Sequence, residues 1–314
     1  MRICRYLHAG EAHTAFYYDD AVVALRAACE AAALHGLDLA PLNGSEAPLD
    51  LLPCGRAAQQ ASTLAAWLDK NAALRQEVST PLAEVVLQRP IAAPPKILLL
   101  AGNYAAHIEE EGQTAVERQE TFPYVFMKPH TTLNDPEAPI PIPACSPDHI
   151  DYECELGVVI GRTAKAIPES EALAAVAGYT VMNDISDRRF QPNPQRRPRE
   201  KDVFFDWLHG KWHNGFCPVG PAVTSAAAID DPQALSVELK VNGEVRQAGT
   251  TSQMIFPVAA IVAFVSQWVT LEPGDLIATG TPAGVGAASG RFLQPGDKLE
   301  ARIAGVGTLR NTMA

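Results

Sequence analysis

The spacing of apolar residues divides the chain into a helical first part and a β-rich remainder. Alanine-rich stretches at 21–35 (AVVALRAACEAAALH) and 57–75 (AAQQASTLAAWLDKNAALR) repeat apolar residues every three or four positions, which predicts two helices. Gly36 follows the first stretch, at the position where a helix commonly ends. No set of reactive side chains clusters in this part, so we expect a packing or dimer-supporting unit.

The pattern changes after residue 90. The segment RPIAAPPK at 89–96 predicts a linker, because its prolines would interrupt a helix or a strand. Further predicted elements are strands at 97–100 (ILLL), 153–161 (ECELGVVIG) and 179–186 (YTVMNDIS), helices at 171–178 and 255–269, and a hairpin at 235–247 with its turn at Asn242-Gly243. We predict a mixed α/β, β-rich fold with a small N-terminal α/β domain at 1–90 and a larger domain at 91–314.

The composition limits which classes of binding partner and which cellular compartment we expect. Asp and Glu number 36 against 25 Lys and Arg, so the formal charge is −11 and neither nucleic acid nor an anionic membrane is an expected partner. The six cysteines form no C-x-x-C pair, which is typical of a reducing compartment. The chain shows no signal-peptide pattern at its start and no apolar run near about 18 residues. We therefore expect a cytoplasmic protein.

Carboxylates stand within two of the predicted strands. Glu153 and Glu155 are two positions apart, so both side chains project from one face, and Asp184 lies in the next apolar run. Burial of such like charges without a cation is strongly unfavourable. Because Mg²⁺ and Mn²⁺ prefer oxygen ligands, the three acids are candidate ligands for either ion. A solvated strand face is the alternative, and the residues alone leave both open.

A histidine and a glutamate form a second candidate group. His107 and Glu110 are three positions apart, so on a helix the carboxylate can orient the imidazole as a general base. A surface helix with a chance histidine is the alternative. The glycine-rich segment TGTPAGVG at 279–286 offers hydroxyl and N–H groups that can hold a carboxylate. It lacks the G-x-x-x-x-G-K-[ST] pattern, so we exclude a nucleotide site of that kind.

One stretch departs from the acidic composition. Between Arg188 and Lys211 there are seven basic residues against three acidic ones, together with three prolines. This pattern predicts a long loop, which is unusual in a compact domain unless it serves a function. It is either a solvated surface loop or a segment that delivers cations to an anionic substrate.

Several separate motifs resemble those of the fumarylacetoacetate hydrolase family and recur in the family's order. They are DYECELGVVIG, GYTVMNDISDR, GKWHNGFCPVGP, VNGE, MIF, LEPGDLIATGTPAGVG and LQPGDKLEARIAGVGTLRN. The resemblance extends from about residue 97 to 312, roughly two-thirds of the chain. Several motifs in order are far more specific than any one of them. The first 90 residues resemble the variable appended domains of this family.

The resemblance implies a β-rich catalytic domain, a mixed β-sandwich roll, that binds Mg²⁺ or Mn²⁺ and forms a homodimer. The site residues that it implies are Glu153, Glu155 and Asp184 as metal ligands, His107 and Glu110 as the dyad, Lys211 as the catalytic cation, Arg188, Gln191 and Thr281 as substrate contacts, and Lys128 near the pocket. For Lys128 a structural ion pair is an equal alternative.

Two motifs differ from the family pattern. Where the family reads S-A-R-D, this chain reads SDRR at 186–189, and where the family reads G-K-S-F it reads GKWH at 210–213. Both changes lie beside expected substrate contacts. They bear on the identity of the substrate and leave the metal assignment intact.

The reaction that the resemblance implies is metal-dependent hydrolysis of a carbon–carbon bond in a 2,4-dioxo acid. Such small anionic 2-oxo acids arise in the catabolism of aromatic compounds. The pair of His107 and Glu110 favours hydrolysis, because it can draw a proton from water. Decarboxylation, isomerisation and lyase reactions use the same metal and enolate chemistry and remain open. A non-catalytic carboxylate-binding relative, which would need the three acids but not His107, is a further alternative.

Overall fold

The computed structural model describes residues 1–40, 42–110 and 112–314. Its strands are β1 (Arg2–His8), β2 (Glu11–Tyr17), β3 (Ala21–Ala24), β4 (Thr80–Pro81), β5 (Val86–Gln88), β6 (Ile97–Ala101), β7 (Tyr124–Met127), β8 (Leu133–Asn134), β9 (Pro139–Ile140), β10 (Ile150–Asp151), β11 (Cys154–Ile160), β12 (Val176–Asn183), β13 (Ser186–Asp187), β14 (Cys217–Ser225), β15 (Ser236–Val241), β16 (Glu244–Thr250), β17 (Leu276–Ala278), β18 (Lys298–Ile303) and β19 (Gly307–Met313).

Its helices are α1 (Leu25–Leu34), α2 (Pro48–Leu51), α3 (Ala58–Lys70), α4 (Ala72–Glu77), α5 (Ala105–Glu110), α6 (Glu169–Ala172), α7 (Asp202–Gly210), α8 (Val258–Ser266) and α9 (Gly286–Ser289). Within the described ranges, none of these helices is both long enough and apolar enough to cross a membrane.

One large sheet forms the centre of the molecule. Its main path runs β4-β3-β2-β1-β14-β12-β11-β17-β6-β7, with β5 and β8 paired to β1 and β14. Strands β11, β12 and β14 are buried along their whole length. Strands covered on both faces carry nearly continuous apolar runs, which is why VMN and CELGVVI do not alternate with polar residues.

A second sheet, in the order β16-β15-β18-β19-β9, packs against one face of the large sheet. Leu156 and Val158 of β11 share a buried cluster with Val237 and Leu239 of β15. On the opposite face, Val159 joins the cluster that contains the buried side chains of α1 and α3. Because side chains alternate along a strand, the odd-numbered positions of β11 face the helical layer. The fold is therefore mixed α/β and strand-rich, as predicted.

The hairpin prediction is confirmed by β15 and β16, which pair from Ser236 with Thr250 to Val241 with Glu244. Asn242 and Gly243 have φ values of 52° and 80°. Both values are positive, as the two central residues of a type I′ turn require.

Some predicted helical segments are wrong in part. Residues Ala21–Ala24 form β3, because this part of the alanine-rich run pairs with β2. At 171–178 the helical turns stop at Ala175, and Val176 begins β12. The predicted helix at 57–75 ends at Lys70, and α4 follows it. The spacing of apolar residues also did not predict strands β1 and β2. Tertiary pairing overrides helix propensity in such segments.

The predicted long loop at 188–211 is also wrong in its second half. Residues Asp202–Gly210 form α7, whose apolar residues include several that are exposed. The proline-rich stretch before α7 retains the irregular structure that was predicted.

Strand β1 joins the N-terminal part to the large sheet. Ile3 pairs with Val223 of β14, and Arg2 pairs with Thr224. The sheet therefore continues from residues before the predicted linker at 89–96 to residues after it. The division into domains at 1–90 and 91–314 stays a prediction.

Candidate metal and acid–base site

The three predicted metal ligands meet where β11 begins and β12 ends. Glu155 lies opposite Met182 in the antiparallel register, and the Asp184 N–H donates to the Glu153 carbonyl at 2.9 Å. Cys154, between the two glutamates, belongs to the core between the sheets. Side-chain alternation therefore places Glu153 and Glu155 on the other face, next to Asp184.

This cluster fits a divalent cation. One carboxylate oxygen from each of Glu153, Glu155 and Asp184 lies within 4.8 Å of the others, and all three residues are buried. Glu155 Oε2 accepts the Gly280 N–H at 2.6 Å, but its Oε1 has no hydrogen-bond partner among the described residues. A buried carboxylate oxygen without a partner is unfavourable. Three buried oxygen donors, one of them without a hydrogen-bond partner, suit Mg²⁺ or Mn²⁺.

Three cationic side chains contact two of these carboxylates. Lys211 Nζ donates to Glu153 Oε2 at 3.0 Å and to Asp184 Oδ2 at 2.7 Å. Lys128 Nζ donates to Asp184 Oδ1 at 2.5 Å, and Arg188 Nη2 donates to Glu153 Oε1 at 2.6 Å. Glu153 and Asp184 thus each accept two charge-assisted hydrogen bonds.

The pKa values of the two glutamates move in opposite directions. Burial, followed by the negative charges of Asp184 and Glu153, raises the pKa of Glu155 well above its usual range. Burial also opposes ionisation of Glu153, but Lys211 and Arg188 outweigh it and hold the pKa of Glu153 well below its usual range. Glu155 is therefore the carboxylate whose charge the protein compensates least.

Lys211 remains a cation in this environment. Burial lowers the pKa of Lys211, but Asp184 and Glu153 outweigh it, so the net shift is upward. The third donor of its ammonium goes to Ser186 Oγ at 2.8 Å. Its charge also lies 5.5 Å from the centre of the Phe126 ring. The structure thus places Lys211 between the carboxylates and an aromatic side chain.

His107 and Glu110 lie on α5 and form the predicted pair. His107 Nδ1 lies 2.8 Å from Glu110 Oε1, and Glu110 Oε2 accepts the Gly284 N–H at 2.8 Å. In the tautomer with its proton on Nδ1, His107 donates to Glu110, and Nε2 is then the basic nitrogen. Gly284, which binds Glu110, and Gly280, which binds Glu155, belong to one turn, so the pair on α5 and the carboxylate cluster lie against the same turn.

The glycine-rich segment at 279–286 holds protein carboxylates. The backbone N–H groups of three glycines donate to acidic side chains: Gly280 to Glu155 at 2.6 Å, Gly284 to Glu110 at 2.8 Å and Gly286 to Asp151 at 2.6 Å. At Gly284 the φ value is +105°, and a Cβ would meet the Arg246 carbonyl oxygen at 2.2 Å. Glycine is therefore required there by conformation and by space.

Lys128 uses its whole ammonium group in contacts with the protein. Besides Asp184, it donates to the carbonyls of Ile185 at 3.1 Å and Phe216 at 2.6 Å. An ammonium group has three donors, and these three acceptors engage all of them. These contacts have the geometry of a structural ion pair, which was the alternative given for Lys128. A contact between Lys128 and the substrate stays a prediction.

The other predicted substrate contacts differ in their environments. Thr281 is buried, and its hydroxyl donates to the Cys154 carbonyl at 2.9 Å and accepts from Gln247 Nε2 at 2.8 Å. Arg188 is partly buried against the carboxylate cluster. Gln191 is exposed in the segment before α7. The structure thus brings Arg188 to the cluster and leaves Gln191 on the surface.

Sequence reasoning missed Asp151, whose side chain is fully buried. Its Oδ2 accepts Arg188 Nε at 2.8 Å and the Ala287 N–H at 2.9 Å. Asp151 therefore orients the guanidinium that reaches Glu153. The available signal was spacing, since Asp151 precedes Glu153 by the same two positions that separate Glu153 from Glu155.

The family model described as Fumarylacetoacetate (FAA) hydrolase C-terminal matches residues 96–314. This match covers well over half of the chain, and it contains the carboxylate cluster and the pair on α5. The chain belongs to the fumarylacetoacetate hydrolase family, as its motifs predict.

Relatives with named activities differ in the reaction they catalyse. A 2,4-didehydro-3-deoxy-L-rhamnonate hydrolase of Sphingomonas sp. (strain SKA58) is 40% identical over 228 residues, which cover 72% of this chain and 75% of that protein. The mitochondrial oxaloacetate tautomerase of Homo sapiens is 37% identical over 233 residues, which cover 74% and 70%. Enzymes of this family with similar sequences thus include a hydrolase and a tautomerase.

Solved structures of the family share the whole fold. Fumarylacetoacetate hydrolase from Exiguobacterium antarcticum aligns with a TM-score of 0.75 and 29% identity over 100% of this chain and 99% of its own. Maleylpyruvate hydrolase from Sphingobium sp. SYK-6, solved with manganese(II) and pyruvate, aligns with a TM-score of 0.70 and 27% identity over 100% and 99%. A divalent metal is thus present in a structure of the same fold.

Proposed function

We propose that this protein is a metal-dependent hydrolase that cleaves a carbon–carbon bond in a small 2,4-dioxo acid, giving a pyruvate-type product and a carboxylic acid. The observation that carries the proposal is His107, oriented by Glu110, which is held by the same glycine-rich turn that binds Glu155 of the carboxylate cluster. A hydrolase needs a base at such a site, because water must lose a proton as it attacks a carbonyl carbon. The relatives named as hydrolases support this reaction class.

Glu153, Glu155 and Asp184 would hold the Mg²⁺ or Mn²⁺ ion. When bound, such an ion supplies Lewis-acid polarisation of the 2-oxo group and positive charge for the departing enolate. Glu155 supports this assignment most directly, because its Oε1 is buried without a hydrogen-bond partner among the described residues.

His107 and Glu110 would accept and hold the proton that the attacking water loses. His107 Nε2 accepts a proton from the attacking water, and Glu110 stabilises the imidazolium through the hydrogen bond to Nδ1. When the carbon–carbon bond breaks, the same proton is available to the carbon that leaves as the enolate. Gly284 keeps Glu110 in place through its N–H.

Lys211 and Arg188 would supply positive charge to the substrate. A donor of Lys211 now shared with Ser186 would turn to the oxyanion that forms when water adds to the distal carbonyl. Arg188, Thr281 and Gln191 are proposed to orient the substrate carboxylate. For Gln191 this requires the exposed segment before α7 to approach the site.

Tautomerisation or isomerisation of a 2-oxo acid is the second candidate, because the human relative is named as an oxaloacetate tautomerase. In that reaction His107 would move a proton between carbon and oxygen without activating water. Decarboxylation of a 2-oxo diacid would use the same enolate chemistry, also without a hydrolytic water.

The test is turnover of acetylpyruvate and of oxaloacetate by the purified protein, each with Mg²⁺, Mn²⁺ or EDTA. Hydrolysis predicts pyruvate and acetate from acetylpyruvate, loss of turnover with EDTA, and strong loss in His107→Gln. The exposed histidine of β1 provides the matched control, His8→Gln, which is expected to retain full activity. Keto–enol conversion or decarboxylation of oxaloacetate alone would contradict hydrolysis and support the enolate alternatives. No turnover with either substrate would contradict both.

A further inference from the structure

Asp187 and His213 face each other beside the site, and the proposed mechanism uses neither. The Asp187 side chain is fully buried on β13, and its Oδ1 accepts the Arg189 N–H at 3.1 Å. The His213 ring packs between two phenylalanines, with centroid distances of 5.2 Å to Phe190 and 4.9 Å to Phe216. A polar pair thus lies in largely aromatic surroundings.

The facing atoms of the two residues lack other partners. Asp187 Oδ2 and His213 Nε2 lie 3.4 Å apart. Their distance is that of an ion pair, but the contact does not have the geometry of a hydrogen bond; both atoms are buried, and neither has a hydrogen-bond partner among the residues that the structure describes. A buried polar atom without a partner is unfavourable, so each group offsets the desolvation of the other only while both are present.

Asp187 lies between two residues that contact the cationic part of the site. Ser186, which precedes it, accepts a hydrogen bond from Lys211 at 2.8 Å. Arg188, which follows it, donates to Glu153 at 2.6 Å. A shift of β13 at Asp187 would therefore move the hydroxyl that accepts from Lys211 and the guanidinium of Arg188 itself.

His213 lies on the opposing segment, two positions after Lys211. This segment packs closely on β13, since a Cβ on Gly210 would meet the Asp187 carbonyl oxygen at 2.3 Å. Contact between Asp187 and His213 therefore connects β13 to the segment that carries Lys211.

We propose that Asp187 and His213 form a positioning pair that holds the segment after α7 against β13 and so places Lys211 and Arg188 at the carboxylate cluster. The contact between the two residues does not depend on the reaction. Its effect on turnover rests on the proposed function.

The test is a double-mutant cycle of Asp187→Ala, His213→Phe and the double variant, in which neither position has a polar side-chain atom. The first readout is amide hydrogen exchange at 211–216 and 186–188. Each single variant is expected to speed exchange there about tenfold, and the double variant to return within about threefold of the wild type. Asp187→Asn, which retains a hydrogen-bonding side chain, is expected to stay near the wild type. It also keeps the test decisive if a cycle variant fails to fold.

The second readout is the split between kcat and KM for acetylpyruvate with Mn²⁺. Displacement of Lys211 is expected to lower kcat about tenfold in each single variant, with KM within about twofold, because an oxyanion contact acts in the transition state. The double variant is expected to recover most of kcat. The matched control removes the surface pair Glu238 and Lys240, whose charged atoms lie 3.2 Å apart, with no expected effect on either readout.

Additive effects on exchange in the cycle would overturn the pair itself. Coupled exchange together with unchanged kcat in an active enzyme would overturn the positioning role. If the wild type does not turn over acetylpyruvate, the proposed function fails separately, and exchange at 211–216 still decides between a positioning pair and two independent residues.

Discussion

Glu153 and Glu155 stand two positions apart in the same strand pattern, yet their neighbours give them different properties. Lys211 and Arg188 donate to Glu153, whereas Glu155 has a backbone N–H at Oε2 and no hydrogen-bond partner at Oε1 among the described residues. The pKa of Glu153 is accordingly lowered and that of Glu155 is raised. Glu155 is the residue on which loss of a cation should have the largest effect.

Glu155→Gln is expected to stabilise the metal-free protein by about 1–3 kcal/mol, because the amide needs neither the burial of a charge nor the proton uptake that the raised pKa of Glu155 entails, and it can donate to the neighbouring carboxylates. The same variant is expected to lose the rise in Tm that Mn²⁺ gives the wild type. Urea unfolding in EDTA and thermal unfolding with Mn²⁺ measure the two effects. Glu238→Gln, on the half-exposed face of β15, is the control and should change neither. Lower stability of the metal-free Glu155→Gln variant would contradict this account.

Lys211→Met tests the cation that Glu153 and Asp184 share. Removing one partner of a buried ion pair leaves an uncompensated charge, so we expect the metal-free protein to lose about 3–5 kcal/mol. A bound divalent cation replaces part of that charge, so Mn²⁺ should raise the Tm of the variant more than that of the wild type. In the enzymatic assay kcat should fall about 10²–10³-fold.

The control for this variant is Lys298→Met, at an exposed position of β18, which should leave Tm and kcat unchanged. A rise in KM at constant kcat would show that Lys211 binds the substrate in its ground state and does not stabilise an oxyanion.

At the scale of elements, the segment at 279–286 connects several parts of the site. Its N–H groups hold Glu155 from β11 and Glu110 from α5, so one glycine-rich turn sets the position of a proposed ligand and of the histidine's partner. The motif was recognisable in the sequence as a group of N–H donors. That these donors serve the protein's own carboxylates depends on strands far apart in the chain.

Gly284→Ala is expected to displace Glu110 and misorient His107, because the new Cβ would meet the Arg246 carbonyl oxygen at 2.2 Å. We expect kcat to fall by about tenfold or more, since misplacement of a general base removes much of its contribution. Gly290→Ala is the matched control, because Gly290 also has positive φ (+70°) but has nothing within 4 Å of its Cβ position. Equal losses in the two variants would assign the effect to backbone strain alone.

Elements with a strong local signal were predictable, and elements that depend on distant partners were not. The hairpin at Asn242-Gly243 follows from two residues that favour positive φ. The alanine-rich run at 21–35 has high helix propensity throughout, yet its first four residues form β3, which pairs with β2 and β4. Val176 likewise begins a strand because β11 lies beside it. In both segments hydrogen bonds to a neighbouring strand decide the conformation.

At the scale of the whole molecule, the large sheet makes the N-terminal residues part of the support for the site. Ile3 is fully buried and pairs with Val223 of β14, which neighbours β12. The cluster that contains Ile3 also contains Met182, the register partner of Glu155. The core behind the carboxylates thus contains residues that precede the predicted linker at 89–96 and residues that follow it.

Ile3→Ala is expected to lower the free energy of unfolding by about 2–5 kcal/mol, the range for a large-to-small change in a packed core. Because the sheet is continuous, the loss should appear in one transition by far-ultraviolet circular dichroism and by fluorescence of the tryptophans around α7. Leu34→Ala is the control, since Leu34 is 85% exposed, and its effect should stay within about 0.5 kcal/mol. Two separate transitions, with only the first lowered, would support independent domains at 1–90 and 91–314.

The fold class could be predicted from the spacing of apolar residues, and the family from several motifs that recur in order. Local spacing predicts two parts of the site: two positions along a strand put Glu153 and Glu155 on one face, and three positions along a helix bring His107 to Glu110.

The way in which the buried charges are paired depends on the tertiary structure and could not be predicted from the sequence. Asp151, the contacts of Lys128 and the pairing of Asp187 with His213 each depend on residues that are distant from one another in the chain. Hydrogen bonds and desolvation act over a few ångströms in space, and no spacing along the chain reports which distant side chains will lie within that range.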